Sequence, residues 1–165
     1  MNLHYNKRNL ELRAPSGNIT AGETTVEIDS RKYEQAVVDL RVTELIMPDG
    51  DDEVDFYIQT EINGTWVDVA NVHFDNGDEP ITAANRLIGI GPKAAGVDVI
   101  TPTDGTLPDN TAQDLPLGEA VRIKTKVTGA TAPTYAYEAR LTLLGWSTAP
   151  CHIMARLIWF VSSVL

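Results

Sequence analysis

The sequence predicts an all-β fold built from antiparallel strands, and three observations support this. β-Branched residues make up about a quarter of the 165-residue chain, with 14 Val, 12 Ile and 17 Thr, and such residues favour strands. Several segments alternate apolar and polar residues with a period of two, which is typical of strands with one buried face. Twelve Gly and nine Pro are dispersed along the chain, as frequent turns between short strands require.

The first half of the chain contains two clear strands and two weaker candidates. Residues 36–42 alternate, with aliphatic side chains recurring on one face. Residues 54–62 alternate more cleanly, so we expect one face of this strand in the core and its Asp, Tyr, Gln and Glu side chains facing water. The weaker candidates are residues 8–14 and 23–28, which are separated by a turn-rich segment.

A β-hairpin is predicted at Asn63-Gly64, because both residues tolerate the positive φ that a type I′ turn requires. The returning strand, residues 65–74, then pairs with residues 54–62. Its apolar phase changes partway along, which indicates a bulge or a bend.

Two further strands are expected late in the chain. Residues 119–128 place aliphatic side chains and Thr on one face and basic side chains on the other, and residues 134–144 place Tyr, Ala and Leu on one face. The connection at residues 129–133 has the length of a hairpin loop.

The middle of the chain is less regular. A short strand is possible at residues 86–90, and residues 91–118 form a long Pro- and Gly-containing loop, expected to be a contact surface or to become ordered on assembly. The predicted organisation is an extended N-terminal arm (residues 1–19), one domain (residues 20–145, including the insertion 91–118) and an apolar C-terminal tail (residues 146–165).

Charge and motif content exclude several function classes. The net charge is −10 with a pI near 4.6, which disfavours phosphate contacts, so no nucleic-acid partner is expected. The single cysteine, Cys151, permits neither an internal disulfide nor a cysteine-based zinc site. His4, His73 and His152 lie in unrelated contexts, and no hydrolase, phosphate-binding or dinucleotide motif is present. We therefore expect no enzyme activity, no catalytic residues and no cofactor.

Two acidic runs, residues 49–55 and 75–79, offer carboxylates of the kind that bind calcium. The first run does not match the spacing of an EF-hand, because Gly50 stands at its second position rather than its sixth. Solvated turns between strands explain both runs more simply, so no metal site is predicted, although calcium binding stays open.

Two groups of residues are candidates for a subunit interface. Arg122, Lys124 and Lys126 form a basic ladder on one strand face, which either pairs with acids such as Glu138 and Asp55 or docks an acidic patch on a partner. The tail at residues 151–165 holds no acid, and its periodicity fits either a helix or a strand. Its densest apolar run is nine residues, too short to cross a bilayer, so no membrane partner is expected. The proposed interface residues are Ile153, Leu157, Ile158, Trp159, Phe160, Arg122, Lys124 and Lys126.

Aromatic side chains suggest an alternative of another class, a carbohydrate-binding module with an exposed ring platform. The candidates are Tyr57, Trp66, Tyr135 and Tyr137. Because Tyr135 and Tyr137 share a face with leucines, core packing explains them more simply.

The order of several segments resembles a family of small tailed-bacteriophage virion proteins. These are "VVDLRVTEL", then "VDFYIQTEINGTWVDVANVHF", then "EAVRIKTKVTGATAPTYAYEARLTL". The matching pieces are residues 54–59, 66–68 and 121–128, followed by Gly129, Thr131, Pro133 and residues 135–137. The insertion 91–118 and the tail 151–165 have no counterpart in that pattern.

The resemblance implies a jelly-roll-like β-sandwich that decorates or cements the capsid as a non-enzymatic virion protein. The implied partners are the major capsid protein, other virion proteins and further copies of this chain. A head–tail connector or tail component of the same particle is the alternative within this class.

Overall fold

The computed structural model describes residues 3–15, 17–78, 84–91, 102–129, 131 and 133–148. Within these residues the chain forms eight strands and one 3-10 turn at Asn76–Asp78. The strands are β1 Leu3–Arg13, β2 Ile28–Asp29, β3 Gln35–Ile46, β4 Glu53–Ile62, β5 Thr65–Asp75, β6 Ala84–Ile90, β7 Ala120–Thr128 and β8 Thr134–Thr148.

The strands form two antiparallel four-stranded sheets packed face to face. Sheet A has the strand order β1-β8-β3-β6, and sheet B has the order β2-β7-β4-β5. Apolar side chains from both sheets join in one core. The predicted all-β antiparallel sandwich is confirmed.

An aromatic cluster lies at the centre of the core and joins the two sheets. The ring of Phe56, on β4, meets Tyr135 and Tyr137 of β8 edge to face, with centroids 5.7 Å and 5.1 Å away. Phe74 of β5 meets the same ring at 5.9 Å. Edge-to-face aromatic pairs add roughly 0.5–1.5 kcal/mol each beyond their buried area. These rings therefore contribute strongly to sheet-on-sheet packing.

Period-two patterning gave the inward faces of three strands correctly. The side chains predicted to point inward from β3 and β8 are all buried. On β7, Val121, Ile123 and Thr125 are buried and Val127 packs against the core from a partly buried position. These strands each have one polar face, which is the condition under which alternation is informative.

The predicted N-terminal arm is wrong for residues 3–13. These residues form β1, which pairs with β8 along its length, with Leu10 opposite Leu141. Leu12 is buried in the core. The sandwich also extends further at the other end, because β8 continues to Thr148, inside the segment assigned to the tail. Residues 151–165 lie outside the described residues.

The predicted hairpin at residues 129–133 is also wrong. β7 belongs to sheet B and β8 to sheet A, so this connection crosses from one sheet to the other. Gly129 begins the crossing with φ 126°, and a Cβ there would overlap Asp52. Loop length alone does not distinguish such a crossing from a hairpin.

The predicted strand at residues 23–28 is reduced to β2, which has two residues. The preceding residues lie alongside β7 and bond to it through both main-chain and side-chain atoms. The Thr25 amide donates to the Ile123 carbonyl, and the Ile123 amide donates to the Thr25 hydroxyl. Because a side chain replaces a main-chain acceptor, regular pairing is interrupted there.

The predicted hairpin at Asn63-Gly64 and the predicted bulge in β5 are both confirmed. Asn63 has φ 51° and Gly64 has φ 76°, as a type I′ turn requires. Opposite β4, Ile58 pairs with Ala70 whereas the next residue, Gln59, pairs with Asp68. Val69 is therefore the extra residue of the bulge.

Replacing Gly64 by valine should lower the free energy of unfolding by roughly 1–2 kcal/mol, because a left-handed backbone is strained for L side chains and more so for a β-branched one. Urea denaturation measures the loss. Gly89→Val is the matched control, since Gly89 lies in a strand without a positive φ and a Cβ added there would meet no other atom within 4 Å. Equal stability of Gly64→Val and the wild type would contradict the turn.

Candidate functional site

Residues 102–117 cover the part of the outer face of sheet B that β4 and β5 form. Three main-chain bonds fix this segment along β5: Asp68 N–H to Thr103 O (2.8 Å), Asn71 N–H to Thr111 O (2.9 Å) and Gln113 N–H to Val69 O (2.7 Å). The insertion predicted as a loop is therefore, over these residues, part of the domain.

The covered face is polar, and the expectation that this face of β4 meets water is wrong. Asp55, Tyr57 and Gln59 on β4 are buried, as are Asp68 and Asn71 on β5. Their polar atoms bond mainly to one another, to neighbouring strands and to the covering segment.

Asp68 is the main anchor of the covering segment. Its carboxylate, 0% exposed, accepts the backbone amides of Gly105 (3.0 Å), Thr106 (3.2 Å) and Leu107 (3.3 Å). The Gln59 side-chain amide adds a fourth donor at 2.8 Å. A buried carboxylate is tolerated when donors of this kind surround it. Asp68 thus stabilises the turn above it.

A second polar group lies further along the same face, around Asp55. Its Oδ1 accepts from Asn71 Nδ2 at 3.0 Å and from His73 Nδ1 at 2.9 Å. Asp109, from the covering segment, brings its Oδ1 to 3.6 Å from the same imidazole nitrogen. One ligand-type atom from each of Asp55, His73 and Asp109 lies within 4.8 Å of the other two. This group is called the Asp55–His73–Asp109 cluster.

The electrostatics of the cluster favour a cation at His73. Burial by itself lowers the pKa of His73, but the hydrogen bond to Asp55 and the carboxylates of Asp109, Asp55 and Glu53 outweigh burial and raise the pKa above its usual 6.5. Burial, followed by the charge of Asp55 and a hydrogen bond to it, raises the pKa of Tyr57, which stays a neutral phenol.

Asn71 is incompletely paired within this group. Its Nδ2 also donates to the Leu107 carbonyl at 3.1 Å. Its Oδ1, in a residue that is 2% exposed, has no hydrogen-bond partner among the described residues. Most buried polar atoms in folded proteins are paired, so this oxygen requires an explanation.

Carboxylates of both acidic runs considered for calcium accept local backbone amides, and calcium binding there stays untested. Asp52 is buried and its Oδ2 accepts the Asp49 amide at 3.0 Å. Asp75 Oδ1 accepts the Gly77 amide at 2.8 Å. Asp55, which closes the first run, points to the cluster described above. Within each run these carboxylates therefore bond to backbone amides of the same run, whereas Asp55 bonds to residues distant in sequence.

The basic ladder is largely engaged within the chain. Arg122 donates to Gln59 Oε1 at 2.8 Å and to Glu27 Oε1 at 3.1 Å, and its guanidinium lies 3.9 Å from the centre of the Trp66 ring. Lys124 Nζ contacts Asp104 Oδ1 at 2.8 Å. Lys126 is exposed and has no ion-pair partner among the described residues.

The two acids expected to pair with this ladder have other partners. Glu138 lies in sheet A, where its Oε1 is 3.4 Å from Arg41 Nη1, and Asp55 belongs to the cluster. The interface role of the ladder stays a prediction.

The aromatic platform is not assembled. Tyr57, Tyr135 and Tyr137 are buried, and Trp66 is half-buried beneath the Arg122 guanidinium. The tail residues proposed for an interface, Ile153, Leu157, Ile158, Trp159 and Phe160, lie outside the described residues. Within the part of the chain that is described, no helix is long and apolar enough to span a membrane.

Asp68→Asn should lower the free energy of unfolding by roughly 2–4 kcal/mol, because the new amide nitrogen faces backbone donors and the charge is lost. Limited proteolysis should then cut within residues 102–113 earlier than in the wild type. Asp114→Asn, on the same segment but exposed, is the matched control. Equal protease resistance of the two variants would contradict the anchoring role.

The raised pKa of His73 predicts a pH-dependent stability. Its contribution is complete below the unfolded pKa of 6.5 and is lost as pH rises through the higher folded pKa. Urea denaturation between about pH 6 and pH 9 should show this loss in the wild type, and His73→Gln should show less of it. Parallel pH profiles for the two proteins would refute the assignment.

Comparison with known proteins adds little to this description. No family model matches the chain, and no curated protein is similar to it. Among solved structures, dimeric latent PorU from Porphyromonas gingivalis is similar at 12% identity and a TM-score of 0.39. The match covers 88% of this chain and 13% of PorU, so the chain spans a small part of that protein. A similarity at this level carries no inference about function.

Proposed function

We propose that this protein is a non-enzymatic structural component of a tailed-bacteriophage particle, where it decorates or cements the capsid shell. Its partners are then the major capsid protein, other virion proteins and further copies of itself. One observation carries the proposal: the segments that resemble the phage family lie side by side at the centre of the sandwich.

Residues 54–59, 66–68 and 121–128 are separated in sequence but lie on β4, β5 and β7, which are neighbours in sheet B. Residues 135–137, on β8, supply the rings that pack on Phe56 across the core. The resemblance thus covers one packed unit, as expected when it reflects a shared fold.

The edge of sheet A offers a surface for assembly. β6 pairs with β3 on one side, and no strand among the described residues pairs with its other side. Leu87, at its centre, is 73% exposed. An exposed strand edge with an apolar side chain favours addition of a strand or loop from a neighbouring subunit. Of the basic ladder, Lys126 is the member whose charge is available to a partner.

The alternatives are a head–tail component of the same particle and a carbohydrate-binding module. A head–tail component would use the same fold and differs from a decoration protein in copy number and position. A carbohydrate-binding module needs exposed rings, and the tyrosines considered for that purpose are in the core. The burial of these tyrosines favours the virion role over sugar binding.

The test is quantitative mass spectrometry of gradient-purified particles of the phage that encodes the chain. A copy number comparable to that of the major capsid protein is expected. A handful of copies per particle would favour the head–tail alternative over decoration, and absence from the particle would refute the proposal. Saturable binding on a glycan array would instead favour the sugar-binding class.

Binding of the purified protein to capsids that lack it tests whether the exposed edge of β6 is the docking surface. Leu87→Glu should weaken saturable binding, because a charge replaces an apolar contact at the strand edge. Val26→Glu is the matched control, since Val26 is also exposed (62%) but lies beside sheet B. A chain lacking residues 151–165 should also bind more weakly if the tail contributes the interface. Unchanged binding of Leu87→Glu would exclude β6 as the docking edge.

A further inference from the structure

We propose that Asp55, His73 and Asp109 bind a divalent transition-metal ion of the zinc type, which fastens the covering segment to the outer face of sheet B. The three residues come from β4, β5 and residues 102–117, so the ion would join three elements that are distant in sequence.

The donor set fits this class of ion. One imidazole nitrogen with two carboxylate oxygens suits zinc and similar metals, whereas calcium takes oxygen ligands alone. Two ligand atoms about 2.0–2.1 Å from a tetrahedral zinc ion lie roughly 3.3 Å apart. His73 Nδ1 is 2.9 Å from Asp55 Oδ1 and 3.6 Å from Asp109 Oδ1, so both pairs that include the imidazole lie within a few tenths of an ångström of this spacing, and the two carboxylates lie within 4.8 Å of each other.

The charges also balance. Two carboxylates and a neutral imidazole carry a net charge of −2, which a divalent ion neutralises. The ion would take the place of the proton on His73 Nδ1, and the metal-bound imidazole stays neutral with its proton on Nε2; a ring protonated on both nitrogens would release the Nδ1 proton to solvent on binding. Asp55 is already held in place by Asn71, as metal-binding carboxylates are in established sites.

Asn71 provides the second, independent observation. Its amide lies against Asp55 Oδ1 and the Leu107 carbonyl, yet its own oxygen has no partner among the described residues. The Asn71 side chain therefore contacts the ligand carboxylate through its nitrogen and keeps a buried oxygen that lacks a donor. Zinc sites with three protein ligands hold a water in the fourth position, and a water bound there would be a donor of the kind that this oxygen lacks.

The alternative is that a proton on His73 is the only cation that the cluster holds. The two cases differ in whether added metal binds at these residues. Asp109 allows a clean distinction, because its side chain is 66% exposed and its replacement should leave the fold intact.

The experiment is isothermal titration calorimetry of ZnCl2 into the full chain after treatment with EDTA. Wild-type protein should bind one ion in a step that Asp109→Asn weakens about 10-fold or more and that Asp114→Asn leaves unchanged. The NMR resonances of the His73 imidazole should shift with zinc, whereas those of His4 and His152 should not.

Three outcomes would overturn the proposal: no zinc binding, equal affinity in the wild type and Asp109→Asn, or equal weakening in Asp109→Asn and Asp114→Asn. The second outcome would place the ion at other ligands, such as Cys151 or His152. Circular dichroism of each variant confirms that the fold is kept.

Discussion

Burial of both faces of β4 is the constraint on which the rest of the structure depends. One face carries Phe56 into the aromatic cluster between the sheets. The other carries Asp55 and Gln59, which are also withdrawn from water. Removing a carboxylate from water without partners costs several kcal/mol, so the polar face requires donors from elsewhere in the chain. Neighbouring strands supply them, from Asn71 and His73 to Asp55 and from Arg122 to Gln59. Residues 102–117 supply the backbone amides that Asp68 accepts on the same face, and this long insertion is therefore part of the domain.

The bulge in β5 makes this arrangement possible. In a regular strand, residues three apart point to opposite faces, so Asp68 and Asn71 could not both face outward. The extra residue, Val69, shifts the register between Gln59 and Ile58. Asp68 then meets Gln59 and the amides of the covering turn, while Asn71 meets Asp55. A single inserted residue thus brings the anchor and the cluster onto the same polar face.

Period-two alternation was sufficient to predict strands whose outer face is largely open to solvent, as for β3 and β8. The same rule failed on β4, because a polar face was equated with a wet one. The sequence feature that could have indicated a covered polar face is the phase change in β5, where Asp68 interrupts an apolar run.

The full length of β1 was not predicted, because its partner, β8, lies some 130 residues away and pairing at that distance leaves no local pattern. For the cluster, Asp55 was singled out with its sequence neighbours, whereas its real partners come from strand register and from the insertion.

The two halves of the sandwich are therefore suited to different tasks. Most outward side chains of sheet B bond within the chain. The Arg122 guanidinium lies over the Trp66 ring and donates to Gln59. Gln59 in turn donates to Asp68, which accepts the backbone amides of the covering turn. Few outward side chains of sheet B are therefore available to a partner. Separating the covering turn from this face would expose the buried carboxylate of Asp68. Sheet A keeps a strand edge whose central side chain, Leu87, is exposed. A partner added at that edge, as proposed above, would leave the buried polar network of sheet B undisturbed, because Leu87 and the network lie on different sheets.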